Sequence, residues 1–527
     1  MKLIDSLTQI NRIRAHRNIF VTAMVILVLG LPLSPFLVSF GQMILLLNWI
    51  VEGGFNVKLR LIKEQKILWA FLLMPLLHII WLLNTSDFQY ALHDLKIKIP
   101  LLIIPIIIGT SEHLKEKELR YILSAFVFAV FAGSMVSLAV LLDIYHVDIN
   151  DVRNISIFIS YIRFSLMVVL SILIIYDYIT TYFDRITSIQ KLGLFILLVW
   201  FIVFIILLQS ITGWVSLFII LIISYLKAKN KHIKYIVGLL ILIILSIFGI
   251  TATHVYKDFY NVKRKDLKNL PEYTLLGNKY TNDTIYKDLE NGYYINILIC
   301  KKELRQTWSE LSDISFDKYD VNGFRIQKTM IRYLTSKGLT KDREGLLSLD
   351  NKDIKMIEKG YTSCMYRYKS GLYIRMYVVL WELNEYIKTG DANGKSIAQR
   401  IEFSKAAFHI IKNNFWFGVG VGDLNKEYKK AYIEIDSKLE KKHRLRVHNQ
   451  YITFLLTFGI FGFILAVYSM LYPGIVSLKR ENVLLLGFLL IILMSMLNED
   501  TLETQAGVTF YILFYTLFVF TKQNSDG

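Results

Sequence analysis

Cysteine is nearly absent from this sequence, since its 527 residues include only Cys300 and Cys364. No CxxC pair and no Cys/His spacing typical of zinc occurs, so a disulfide-rich scaffold and a cysteine-based metal site are excluded. The two cysteines can pair if they lie in an oxidising compartment, and the sequence leaves this open. No DxD-type metal motif stands out. Gly418, Gly420 and Gly422 lack the strand–turn–helix context of a dinucleotide site, and we predict that they form a flexible turn close to the membrane. We expect no cofactor and no metal.

Long apolar runs are what the sequence does have, and 54% of its residues are hydrophobic. A helix needs about 20 apolar residues to cross a bilayer. We therefore predict an all-α polytopic membrane protein with about twelve transmembrane helices, at 18–33, 35–51, 67–84, 95–110, 120–142, 161–181, 192–209, 212–226, 234–256, 449–471, 483–498 and 507–521. The fourth segment contains Lys96, Lys98, Pro100 and Pro105, so we expect it to be short or tilted.

Lysine and arginine are almost missing from one set of loops. The short loops of one parity contain only Arg153, whereas the loops of the other parity and the terminal segments contain twenty such residues. Cytoplasmic loops of membrane proteins carry this excess, so the net charge of +17 does not require a nucleic-acid partner. We predict a bacterial inner-membrane protein with both termini in the cytoplasm. Its domains would be transmembrane helices 1–9 at 1–256, a mainly helical periplasmic domain at 257–447, and transmembrane helices 10–12 at 448–527.

Several polar residues then fall at the outer membrane boundary, where a charged group is costly and indicates function. Arg163 begins the sixth span, and His448 with Asn449 begins the tenth. Arg400 is a candidate because of the motif around it. We predict that Asn449, Arg446, Ser210, Thr212, Glu499 and Asp500 bind the substrate. Each candidate has a structural alternative. An arginine can contact lipid phosphates or brace a helix, a hydroxyl can bond to its own helix, and a carboxylate can pair with an arginine.

These residue types indicate chemistry on an anionic, lipid-borne substrate. Guanidinium groups bind phosphates in a bidentate way and keep their charge, and a histidine can accept a proton from a sugar hydroxyl. Together they suit an inverting glycosyl transfer from a lipid diphosphate, in which an acceptor hydroxyl attacks the anomeric carbon and arginines stabilise the leaving diphosphate. Guanidinium charges can replace a cation, so a metal-independent reaction is expected.

Two motifs carry a resemblance to a known family. Residues 400–423 read R-I-E-F-S-K-A-A-F-H-I-I-K-N-N-F-W-F-G-V-G-V-G-D, and residues 448–462 read H-N-Q-Y-I-T-F-L-L-T-F-G-I-F-G. With the later N-E-D-T-L-E-T-Q-A-G at 498–507, the chain resembles the O-antigen ligase/polymerase superfamily, in a Bacteroidetes-type branch. The resemblance implies transfer of a glycan from undecaprenyl diphosphate to lipid A–core oligosaccharide on the periplasmic face. It also implies that His448 is the acceptor base and that Arg400 binds the diphosphate.

One departure from the family pattern concerns the outer hairpin between spans seven and eight. Many members have Ser-Arg there, whereas this chain has Ser210 followed by Ile211. The topology puts Arg163 at the same depth, so we predict that Arg163 supplies the missing guanidinium. Arg446 and Arg375 are weaker substitutes.

The resemblance leaves several functions open. Within the same class, the alternatives are an O-antigen or capsule repeat-unit polymerase and a protein O-oligosaccharyltransferase, which differ in the acceptor. A polysaccharide flippase belongs to another class, but it would need charges in mid-span, where these segments are nearly charge-free. A receptor would need a cytoplasmic output domain, and the inner segments are too short for one. The expected partners are a lipid-linked glycan donor, a glycan acceptor and membrane lipids.

Overall fold

The computed structural model describes residues 2–147, 152–228, 230–263, 267–320, 324–369, 371–478 and 482–521. The chain is mostly helical, as predicted. The helices before residue 261 are α1 Lys2–Leu33, α2 Pro35–Glu52, α3 Phe55–Glu64, α4 Lys66–Ile80, α5 Phe88–Thr110, α6 Glu116–Leu141, α7 Tyr161–Tyr182, α8 Ser188–Leu208, α9 Ile211–Lys227 and α10 Lys231–Tyr260.

The rest of the chain contains shorter helices before it returns to long apolar ones. These are α11 Lys301–Leu311, α12 Ile326–Ser336, α13 Arg343–Leu347, α14 Asn351–Glu358, α15 Met365–Tyr368, α16 Gly371–Thr389, α17 Ser396–Asn413, α18 Leu424–Glu434, α19 Gln450–Ser477, α20 Val483–Ser495 and α21 Gln505–Phe520. Two short strands, β1 Leu289–Glu290 and β2 Tyr293–Tyr294, pair antiparallel. Short 3₁₀ turns lie at Trp81–Asn84, Val152–Ile155, Lys441–His443 and Thr501–Glu503.

A helix coincides with each of the twelve predicted apolar segments. Within the described residues, eight stretches are long and apolar enough to cross a membrane: Asn11–Leu33, Pro35–Glu52, Lys66–Asn84, Glu116–Leu141, Tyr161–Tyr182, Ser188–Leu208, Lys231–Tyr260 and Gln450–Ser477. Three shorter apolar helices are Ile211–Lys227, Val483–Ser495 and Gln505–Phe520. The fourth predicted segment is part of α5, which continues through Pro100 and Pro105. A multi-pass membrane protein follows from these helices, whereas the count of twelve spans stays a prediction.

The chain divides into two compact units. One comprises residues 1–241 and 392–527, and the other comprises 242–391. Residues 392–447, which the predicted domain boundaries assign to the periplasmic insert, therefore pack within the first unit. The predicted boundaries at 256 and 447 stay a prediction about the membrane, and the compact units divide the chain at other positions.

The first unit is built from helices whose starts are specified locally. Side chains of Ser34, Asp87, Ser160 and Thr504 accept hydrogen bonds from backbone N–H groups in the first turns of α2, α5, α7 and α21. Such caps satisfy N–H groups that have no partner within the helix. Helix α5 packs against α4 and α21, and α7 packs against α8, α9 and α20.

Helix α19 is broken at Gly459, which has φ of 62°. The carbonyl of Leu456 accepts a hydrogen bond from the N–H of Val419 at 2.8 Å, and that of Thr457 accepts one from Gly420 at 3.0 Å. The N–H of Ile460 in turn donates to the carbonyl of Phe415 at 2.8 Å. A neighbouring chain segment thus satisfies the backbone groups that the break frees, which is the condition for irregular backbone in an apolar environment.

The sequence pattern suggested that Gly418, Gly420 and Gly422 form a flexible turn, and the structure corrects this interpretation. A Cβ atom on Gly418 would lie 2.5 Å from the nitrogen of Gly459, and one on Gly420 would lie 1.9 Å from the carbonyl oxygen of Asn84. Glycine is required here because the backbones approach too closely for any side chain. The segment is therefore packed against both α19 and the end of the 3₁₀ turn at Trp81–Asn84.

The second unit has its own apolar core. Trp308, Tyr333, Leu334 and Ile357 are fully buried at its centre. Helix α12 contributes Ile326, Met330, Tyr333 and Leu334 to the buried side of this core. Cys300 and Cys364 both carry free thiols, so the disulfide that the sequence left open is not formed.

Candidate functional site

Most of the predicted site residues meet in the first unit, although they come from distant parts of the sequence. They lie at the start of α7, in the first half of α17, in the segment before α19 and in the loop after α20. We call this set the charged cluster; it comprises Arg163, Arg400, Arg446, His448, Glu499 and Asp500.

Asp500 lies beside the imidazole of His448. Nδ1 of His448 is 3.5 Å from Oδ1 of Asp500, and both side chains are partly buried. Burial opposes ionisation of Asp500, but the hydrogen bond and the charges of His448 and Arg446 outweigh it and lower its pKa. A carboxylate on Nδ1 fixes the ring orientation and leaves Nε2 available for a substrate.

Glu499 links His448 to two arginines. Nη2 of Arg400 is 3.9 Å from Oε1 of Glu499. Burial raises the pKa of this carboxyl, and the charges of His448, Arg163 and Arg400 act in the opposite direction without cancelling the effect. Arg163 is therefore close enough to Glu499 to act on its ionisation, as a member of the same cluster.

Asn498 holds Arg400 in place, and sequence reasoning missed it. Nη1 of Arg400 donates to the side-chain oxygen of Asn498 and also to its backbone carbonyl at 3.3 Å. The Nδ2 of Asn498 donates to the hydroxyl of Thr212 at 2.9 Å. The only sequence signal is its position directly before Glu499 and Asp500.

Ser210 and Thr212 are buried, with 1% and 6% of their surface exposed. The hydroxyl of Ser210 caps α9 by accepting from Gly213 N at 3.2 Å, and Ser165 donates to it at 2.9 Å. These contacts make the two residues supports behind the cluster, which does not favour the predicted direct contact with substrate. Because Ser165 is two residues after Arg163, they also put the first turn of α7 beside the Ser210 hairpin.

Asn449 also has a structural role. Its Oδ1 caps α19 by accepting from Ile452 N at 3.0 Å, and its Nδ2 donates to the carbonyl of Leu497 at 2.9 Å. The side chain thus joins the start of α19 to the loop that carries Glu499 and Asp500. This contact positions His448, the residue before it, against those carboxylates.

Arg446 is the arginine with spare hydrogen-bonding capacity. Its Nη2 is 4.0 Å from Oε2 of Glu503, while its Nη1 is buried and has no hydrogen-bond partner among the described residues. Burial disfavours its charge, but Glu503, Tyr90 and Asp500 outweigh this and raise its pKa. A charged donor without a partner is expensive to bury, so it is suited to an incoming anion.

A buried ion pair lies behind Arg446 and was not anticipated. Nζ of Lys98, whose surface is 2% exposed, is 2.8 Å from Asp94 and 3.3 Å from Glu503. Gln450 also donates to Glu503 at 3.2 Å and accepts from Leu502 N at 2.8 Å. Lys98 was one reason to expect a short or tilted fourth segment. It is instead paired inside the unit and holds the side chain of Glu503 in place.

Three residues of the charged cluster could together hold a divalent cation. His448, Glu499 and Asp500 each offer one ligand atom, and these atoms lie within 4.8 Å of one another. Carboxylate and imidazole groups are suitable ligands. However, Arg400 already lies beside Glu499 and His448 beside Asp500, so each carboxylate has a partner without a metal.

Residues 361–467 match the family model described as O-Antigen ligase. The match includes Arg400, Arg446, His448, Asn449 and the helix break at Gly459, and it confirms the resemblance seen in the motifs. No curated protein matches the chain. Arg163 and the Glu499–Asp500 pair lie outside the matched residues, so their inclusion in the cluster rests on the geometry alone.

Proposed function

We propose that this protein, whose residues 361–467 match the O-Antigen ligase family model, is a membrane glycosyltransferase that moves a glycan from undecaprenyl diphosphate to lipid A–core oligosaccharide. The observation that carries this proposal is the meeting of one imidazole with three guanidinium groups in the charged cluster. Phosphate recognition and hydroxyl activation need these two kinds of group, and they must lie within reach of one bond.

In the proposed reaction, His448 accepts the proton of the acceptor hydroxyl. The hydroxyl oxygen forms a bond to the anomeric carbon of the donor sugar, and the bond from that carbon to the diphosphate oxygen breaks. The diphosphate keeps the electron pair and leaves on its lipid. Attack opposite the leaving group inverts the anomeric centre.

The arginines have distinct parts in this mechanism. Arg400 and Arg163 bind the diphosphate and stabilise the charge that develops on it, as preorganised cationic donors do. Arg446 adds its unpartnered Nη1 as a further donor. Asp500 orients His448 and stabilises the imidazolium that forms when the proton is taken.

We place the reaction on the periplasmic face of the inner membrane, with both termini in the cytoplasm, as the distribution of lysine and arginine predicts. The apolar helices support the membrane location. The acceptor distinguishes the alternatives, because a repeat-unit polymerase or a protein O-oligosaccharyltransferase would use the same cluster with another hydroxyl.

The test is transfer by the purified full-length protein in liposomes, with lipid-linked glycan and each acceptor supplied separately. We expect His448→Ala and Arg400→Ala to lower the rate by about a hundredfold or more, since general-base catalysis contributes that much. His443→Ala, five residues away and outside the cluster, should leave the rate unchanged. Full activity of either cluster variant would refute the mechanism.

The same assay tests the role of a metal. Treatment with EDTA is expected to leave the rate unchanged, because the guanidinium groups supply the positive charge. Loss of activity that a divalent cation restores would show instead that His448, Glu499 and Asp500 hold a metal.

A further inference from the structure

A second site lies in the first unit, apart from the charged cluster. It is an open groove of about 690 Å³ between residues 83–86, the end of α17 and the exposed face of α18. We call it the polar groove. Its polar lining includes Asn84, His409, Asn413, Asp423, Lys426 and Glu434. Its volume is in the range of small-molecule sites, roughly 300–1,000 Å³.

The chemistry of the groove differs from that of the cluster. Its polar side chains are amides, hydroxyls, carboxylates, lysines and one imidazole, with a few aliphatic side chains between them, and it contains no arginine within the described residues. Lys426 and Lys430 lie among Asp423, Glu427 and Glu434, so positive charge does not dominate. A phosphate would find no guanidinium fork here. Amide groups, which both donate and accept, and carboxylate groups, which accept, instead match the adjacent hydroxyls of a sugar.

The groove is prearranged. Nε2 of His409 is 2.8 Å from Glu434, and Nδ2 of Asn413 is 3.4 Å from the same nitrogen. Asp423 accepts from both the backbone N and the hydroxyl of Ser86 at 2.6 Å. A site that is already ordered loses less conformational entropy on binding.

The floor of the groove depends on the glycine segment. Asn84 donates from Nδ2 to the carbonyl of Gly418 at 3.1 Å, and Gly420 packs against the Asn84 backbone. Trp416 and Phe417, directly before Gly418, have about 60% and 62% of their surface exposed. Exposed aromatic side chains of this kind are typical of the membrane interface. Trp416 and Phe417 are therefore suited to a position at the membrane interface, beside the floor of the groove.

Helix α17 relates the groove to the cluster. Arg400 and His409 are nine residues apart on this helix, which corresponds to about 14 Å along its axis. On α18, Tyr428 is buried and accepts from Val447 N beside His448, whereas Lys426 and Lys430 of the same helix are exposed and line the groove. Nine residues are about two and a half turns, so the side chains of Arg400 and His409 lie on opposite faces of α17, and the groove is a site separate from the cluster.

We propose that the polar groove binds a neutral, hydroxyl-rich oligosaccharide and holds the glycan at a distance from the reacting bond. The source of this ligand rests on the proposed function, because the donor proposed there carries a glycan that continues beyond the reacting bond. Binding itself does not depend on catalysis. It can therefore be measured without transfer.

The experiment titrates the full-length protein in nanodiscs with oligosaccharide released by mild acid from the surface polysaccharide of the source bacterium. Saturation-transfer NMR and calorimetry report binding. We expect the Asn413→Ala/Lys426→Ala double variant to raise the Kd about tenfold or more, as the loss of two or three hydrogen bonds predicts. Lys429→Ala is the matched control, since it removes a lysine from α18 that is exposed but outside the groove.

The outcomes separate the two proposals. His448→Ala should bind the oligosaccharide as the unaltered protein does, even if transfer is lost. Unchanged affinity in the double variant, or no binding by the unaltered protein at millimolar concentration, would overturn the inference. Inorganic pyrophosphate should not compete; competition that depends on Lys426 would make the groove an anion site. If the protein transfers no glycan under any condition but binds oligosaccharide through Asn413 and Lys426, the groove stands and the proposed function fails.

Discussion

The contact between His448 and Asp500 can be tested by replacing a single residue. Asp500 accepts from Nδ1 at 3.5 Å and does not itself reach the proposed reacting atoms. Replacement of Asp500 by Asn keeps the shape but removes the charge that orients the ring and stabilises the imidazolium. We expect kcat to fall by about tenfold or more with little change in KM, because the loss appears in the transition state.

A control for this variant is Asp184→Asn, which removes an exposed carboxylate from the loop after α7. It should leave both constants unchanged. A large rise in KM with normal kcat in Asp500→Asn would mean that Asp500 binds substrate and does not position the histidine.

At the residue level, the sequence was informative where a residue is chemically unusual for its place. His448, Arg163 and the Glu499–Asp500 pair were predicted because charge at a membrane boundary is costly, and Arg400 was predicted from the motif around it. Asn498 and Gln450 could not be predicted in this way. Both are neutral, and their importance comes from hydrogen bonds to residues about 50 or more positions away, which a single sequence does not reveal.

At the level of single elements, the break in α19 depends on a glycine at position 459. Gly459 has φ of 62°, and a Cβ there would lie 2.4 Å from the backbone of Trp416 and Phe417. We expect Gly459→Ala to destabilise the protein by about 1–3 kcal/mol or more, from the strained φ and the clash together. Thermal unfolding in detergent measures this change.

Gly193→Ala is the matched control for that variant. Gly193 lies in α8 with no atom within 4 Å of the added Cβ, so alanine should be neutral or slightly stabilising there. Equal unfolding temperatures for the two variants would contradict the close approach at Gly459.

In α5, the buried ion pair of Lys98 can be tested by its contribution to stability. It is buried between Asp94 and Glu503, so Lys98→Met would leave two carboxylates without their cation. Breaking one side of a buried ion pair costs about 3–5 kcal/mol. We expect a clear fall in unfolding temperature, whereas Lys96→Met, at an exposed position of the same helix, should have little effect. Similar stabilities would mean that the ion pair contributes nothing to the fold.

The apolar pattern of the sequence predicts where the helices lie, but it does not predict contacts between distant segments. A run of apolar residues specifies a helix whether or not it is straight, so all twelve segments are helical, while the break at Gly459 was not predicted. The pattern treated Lys98 as a weakness of its span, because it does not reveal that a lysine faces Asp94 four residues earlier on the same helix and Glu503 on a distant segment. The three glycines at 418–422 were misinterpreted for the same reason, since close approach involves a second segment.

On the scale of the whole molecule, the first unit has two ends that helix α5 separates. Lys98 of α5 pairs with Glu503 near the charged cluster, whereas Gly109 near its other end accepts a hydrogen bond from Gln65 at 3.2 Å. Eleven residues of helix separate these contacts, which is about 16 Å along the axis. The cluster and the loop that precedes α4 therefore lie at different depths of one unit, which makes the membrane orientation testable within that unit.

The proposed function requires the cluster end to face the periplasm, where the lipid-linked glycan is presented. With Cys300 and Cys364 replaced by Ser, we expect a membrane-impermeant maleimide to label Lys429→Cys in intact spheroplasts. Lys63→Cys should react only after permeabilisation, because the basic loops are predicted to be cytoplasmic. Both lysines are exposed, so denatured samples should label equally. The reverse pattern would put His448 and the arginines on the cytoplasmic side, and a periplasmic transfer by this cluster would then be impossible whatever its geometry.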